Sequence, residues 1–149
     1  MSRLLIALIA MSAPLMSNEP VPESWLKAIE GIESGGDPRA VGDKGLARGL
    51  FQFHKAAWEQ TSKIRKINNL PVYPFTKATN SWVSKEYAQT YLAYLRHRLS
   101  EKIGRPALAH ETWLAFNLGM TGFSRYKYQV ALVPQARYDK AMVIYHATK

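Results

Sequence analysis

A mainly α fold with at most one small β-hairpin is what this chain predicts, and three observations carry that expectation. Apolar residues recur at helical spacing along most of its 149 residues. Prolines and glycines fall between those stretches, where helices stop or start. The loop between Ser34 and Gly49 has strand-forming potential at only a few positions. There are no repeats, no low-complexity tracts and no composition break that would divide the chain, so one helical domain over residues 18–149 is expected.

The elements follow in order. Residues 1–17 read as a signal peptide: Arg3 precedes the apolar run Leu4–Met11, and small or turn-forming residues follow through Ser17. Ser12 and Pro14 interrupt a run already short of the ~20 residues a bilayer demands, so no stable membrane span is expected in the mature chain. Trp25, Ile29 and Ile32 then share one helical face, Pro22 suits a first turn, and Gly35-Gly36 is a stop signal. A second helix is expected from about Leu50 towards Ile64, broken at Asn68-Asn69. Two prolines keep Leu70–Phe75 extended. Thr79, Asn80 or Ser81 caps the next helix, whose apolar stripe of Val83, Tyr87, Tyr91, Leu92, Leu95 and Leu99 is the clearest in the chain. Gly104-Arg105-Pro106 ends it, and a fourth helix runs from about Pro106 to Leu118. Gly119 and Gly122 mark a turn, a short helix covers Phe123 to Leu132, and Pro134 opens a last helix carrying Tyr138, Ala141, Met142 and Tyr145.

Composition narrows the chemistry. A chain of this length with 47% hydrophobic residues can bury a core without staples. It contains no cysteine, which excludes disulfides and thiolate metal sites. The four histidines lack ligand spacing, so neither metal nor cofactor is expected. The net charge is +9, and of the 20 cationic side chains only Arg3 lies in the leader. Such a surface suits an anionic partner: nucleic acid, acidic lipid or a carboxylate-bearing wall polymer. An exported protein rarely meets nucleic acid, so none is expected, and the wall is favoured.

Glu33 is the candidate catalytic group. It occupies the last turn of the first helix, where unpaired carbonyls disfavour an ionised carboxylate and favour the protonated form a general acid uses. Around it stand three blocks: Glu33-Ser34 followed by a glycine-studded loop, then Gly49-Leu50-Phe51-Gln52-Phe53, then Ala115-Phe116-Asn117-Leu118-Gly119. In that order they resemble lytic transglycosylases of the soluble type, within the lysozyme-like superfamily, over roughly Trp25 to Gly119. Glu33-Ser34-Gly35, a later Asp43, and Gly49–Phe53 before Ala57-Trp58 are also similar to invertebrate-type lysozymes, whose disulfide cysteines are missing here.

The resemblance implies an α-rich α+β fold with a substrate groove between lobes, and an enzyme that cuts peptidoglycan glycan strands between N-acetylmuramic acid and N-acetylglucosamine. It implies Glu33 as acid and then base, giving a 1,6-anhydro product. A hydrolytic lysozyme would need a second carboxylate, and Asp43 is the candidate; Asp37-Pro38 is an ordinary turn pair. Ser34, Phe51, Gln52, Phe53, Phe116 and Asn117 fall on motif positions and are the expected substrate contacts, the amides of Gln52 and Asn117 being suited to hydroxyl and N-acetyl groups. Phe116 stands where the family has tyrosine, and Phe51 where it has methionine. Tyr73, Phe75, Tyr126 and Tyr128 are candidate stacking or groove-wall faces, Trp82 is expected in the core, and His54 and the Arg96, Arg98, Lys102 face at the surface. A monomer, secreted or periplasmic, is expected. The remaining alternative is a basic module that binds glycan or nucleic acid without cutting it.

Overall fold

The computed structural model describes residues 19–149; the leader expected over 1–17 lies outside them. The described chain is mainly helical, with one small antiparallel sheet. α1 (Glu23–Ser34) leads through a loop into β1 (Val41–Gly42), β2 (Ala47–Arg48) and β3 (Phe53–His54). α2 (Lys55–Ile67), α3 (Ser81–Ile103), α4 (Ala109–Ser124) and α5 (Gln135–Thr148) complete it. The strands lie in sequence order, Val41 opposite Arg48 and Ala47 opposite His54.

α3 is the central helix. Asn80 caps it, its side-chain oxygen accepting from the Val83 N–H at 3.0 Å, and Gly104 closes it in the left-handed conformation at φ 73°. Tyr87, Leu92, Leu95 and Leu99 are fully enclosed because α1, α2 and α4 all pack against this helix. The Tyr87 ring stacks on Trp58 of α2 with centroids 3.7 Å apart. Gln89 holds the start of α1 by both backbone groups of Val21: it accepts from the N–H at 2.8 Å and donates to the carbonyl at 2.9 Å. α1 is thereby fixed against α3 before its last turn reaches the groove.

Arg65 is 1% exposed, and its charge is fully engaged. Nε donates to the Pro71 carbonyl at 2.7 Å, Nη1 donates to the Glu86 carbonyl and Thr90 Oγ1, and the guanidinium lies over the Tyr87 ring. This clamp ties the extended Leu70–Phe75 segment to α3. Buried polar groups left without such partners would cost more than the hydrogen bonds contribute.

Four expectations are corrected. α2 starts at Lys55 and not near Leu50, because Gly49 (φ 81°) and Gln52 (φ 50°) are left-handed and turn the chain into β3 first. α4 starts at Ala109 and not near Pro106; at Gly119 (φ 74°, ψ 158°) its backbone leaves the helical conformation, as the glycine turn implies, and a second short helical stretch runs on to Ser124. Of the helix expected over Phe123–Leu132, only a single 3-10 turn at Val130–Leu132 forms after α4 ends. Trp82 is 59% exposed, its edge towards Tyr73, because it sits in the first turn of α3 on the side no other helix covers.

Candidate active site

Glu33 stands in the last turn of α1, which ends at Ser34, and Gly35 caps it at φ 64°, its N–H donating to the Gly31 carbonyl. Only glycine takes that turn without strain, so the glycine pair after Glu33 fixes where the carboxyl emerges. It emerges into an open groove of about 620 Å³ whose lining includes Asp43, Gln52, His54, Phe116 and Asn117. Segments far apart in sequence therefore meet at one place.

Two residues of α4 face the carboxyl. Trp113 and Asn117 are four apart and share a helix face. The indole Nε1 of Trp113 donates to Glu33 Oε1 at 2.7 Å. Burial is the largest influence on Glu33 and pushes its pKa above the ordinary 4.5; the Trp113 bond, Lys140, Asn117 and His54 oppose the rise without cancelling it. A carboxyl that holds its proton beside a groove can protonate a leaving oxygen. The Trp113 bond stabilises the ionised form left after that transfer. Trp113→Phe is therefore expected to lower the rate of cleavage about 10- to 100-fold and to move its alkaline limb to higher pH, read from pH–rate profiles.

The other expected contacts divide. Phe116 is half-buried in the groove wall, and Phe53 supports it from beneath, the rings edge to face at 5.3 Å. Phe51 and Phe53 themselves are 0% exposed and offer no face to a ligand; they are core residues that carry the floor. Ser34 is committed locally, its hydroxyl donating to the Glu30 carbonyl and accepting from the Gly36 N–H. Gln52 lines the groove, yet its amide nitrogen donates to the carbonyls of Ala40 (3.1 Å) and Gly49 (3.0 Å). It staples the loop that carries Asp43.

Asp43 is in the groove lining, exposed, with Oδ2 3.0 Å from Nε2 of His54. His54 is thus a surface residue and a groove residue at once. Tyr91, Gln60 and Arg137 also line the groove. Tyr91 donates to Gln60 Oε1 at 3.2 Å, and burial, with Tyr94 beside it, holds its phenol above the ordinary range and so protonated. The helical pattern marks Tyr91 only as part of an apolar stripe, and nothing in spacing pairs Trp113 with a carboxyl 80 residues away. Phe75 and Tyr73 lie outside this lining, Phe75 under the Arg48 guanidinium.

Among the described residues no group of three or more His, Asp or Glu side chains could hold a metal, and no helix is long and apolar enough to cross a membrane. The site sets a carboxyl of raised pKa, Glu33, beside the exposed Asp43–His54 pair, side-chain amides and aromatic walls. The family model described as transglycosylase SLT domain matches residues 12–132. No curated protein and no solved structure matches the chain significantly.

Proposed function

Because the chain belongs to the transglycosylase SLT domain family, whose members are peptidoglycan lytic transglycosylases, we propose that Glu33 is the acid and base with which it cuts the β-1,4 bond between N-acetylmuramic acid and N-acetylglucosamine. The observation that carries this is the Glu33 carboxyl, half-buried at the groove with its pKa raised and Trp113 bonded to it. The family assignment sets aside the pure binding module.

In the proposed reaction Glu33 gives its proton to the glycosidic oxygen as the bond to the anomeric carbon breaks, with positive charge building on the sugar ring. The resulting carboxylate, held by Trp113, takes the proton from the C6 hydroxyl of the same muramic residue. O6 bonds to the anomeric carbon, leaving a 1,6-anhydro end, and Glu33 is protonated again. No water is consumed, so one carboxylate completes the cycle.

A second reading, hydrolysis, is favoured by one observation: Asp43 lines the same groove as Glu33. Mass analysis of the released muropeptides separates the two, since anhydro ends are lighter by one water than reducing ends. Anhydro ends are expected, with Asp43→Asn changing the rate less than tenfold, against the ~10²–10⁴ that loss of a proton-transfer group costs. Reducing ends together with an inactive Asp43→Asn protein would make Asp43 catalytic. The basic balance of the chain and the leader expected over residues 1–17 support a secreted or periplasmic location, where this polymer lies.

A further inference from the structure

Arg137, in the first turn of α5, stands beyond the residues matched by the family model and reaches into the groove. Its Nε donates to Asn117 Oδ1 at 2.8 Å. Among the described residues it has no acidic partner. α5 packs on both α1 and α4, the two helices that carry Glu33 and Asn117, so the contact is held by three elements.

A side-chain amide has an acceptor end and a donor end of nearly equal shape, and its neighbours decide which end faces where. A guanidinium N–H can only donate. Given to Arg137, the Asn117 oxygen is fixed on the α5 side, and the NH₂ end remains for Glu33. We infer that Arg137 is a positioning residue for the acid: it locks the Asn117 amide with its donor towards the Glu33 carboxyl. This rests on Glu33 being the acid. That donor stabilises the carboxylate formed as the proton leaves, so it acts in the transition state more than on bound substrate. It also agrees with the lowering influence of Asn117 on Glu33. The other charged or titratable groups facing this carboxyl or lining its groove are Lys140 on α5, His54 on β3, Asp43 on the loop after β1 and Tyr91 on α3.

With Arg137 gone, the amide is free to turn its oxygen to the carboxyl, where it accepts from the protonated form. For Arg137→Ala, pH–rate profiles on purified wall glycan are expected to show kcat down about tenfold, KM little changed and the alkaline limb at higher pH. Arg137→Lys keeps a donor and the charge and should recover most of kcat. In an Asn117→Ala background, Arg137→Ala should add almost nothing, because the two act as one unit. Circular dichroism of each variant reports folding separately. A folded Arg137→Ala protein with an unchanged profile, or additive losses in the double variant, would overturn the inference. Cleavage by Glu33→Gln at the wild-type rate would overturn the reading beneath it.

Discussion

Glu33→Gln is expected to lower wall cleavage about 10³-fold while the protein remains folded, measured by turbidity clearing of purified walls. Glutamine has the shape of the neutral acid and can still accept the Trp113 N–H, but it has no proton to give. The same variant should be more stable than the parent at neutral pH. Burial raises the Glu33 pKa in the folded state, so the folded protein binds this proton more tightly than the unfolded chain does. Stability is therefore lost as pH climbs above 4.5 through the raised value, and below 4.5 nothing is lost. Urea unfolding should show the variant ahead at pH 7, with the difference closing as the pH falls below 4.5. A residue kept at a cost in stability is expected where function holds it.

Gly49→Ala should destabilise the fold by about 3 kcal/mol, from a left-handed backbone and an overpacked contact together. Gly49 has φ 81°, and a Cβ there would overlap the carbonyl oxygen of Ala78, a backbone atom that cannot swing aside. The glycine also organises the site. Its N–H donates to the Ala40 carbonyl at 2.9 Å, and both its own and the Ala40 carbonyl accept from Gln52. Denaturant midpoints of purified protein check the expectation; a loss under 1 kcal/mol would mean the Ala78 backbone yields easily.

The Gly49-Leu50-Phe51-Gln52-Phe53 block shows how far residues alone carried the reading. Its place beside Glu33 was legible from motif order, and the groove does gather Glu33, Gln52, Phe116 and Asn117. What each residue does there was not. Phe51 and Phe53 face inward because the left-handed turn at Gln52 and the two-residue strand after it reverse the side-chain direction a helix would give. Periodicity cannot signal such a turn, since φ above zero at a glutamine has no compositional mark. α3 was legible because its cap, stripe and glycine stop agree. The Trp113 and Arg137 contacts were illegible because they join side chains from different helices, and only the packing of α1, α4 and α5 decides them; the His54–Asp43 contact depends on the register of the small sheet. Trp82 misled because exposed and buried aromatics are alike in sequence.

The most direct measurement is a titration of the Glu33 carboxyl itself, followed by carbon-13 NMR of the folded protein with Glu33→Gln assigning the signal. A midpoint above 4.5 is predicted, shifting further upward in Trp113→Phe. A midpoint at or below 4.5, unmoved by loss of the indole donor, would contradict the account.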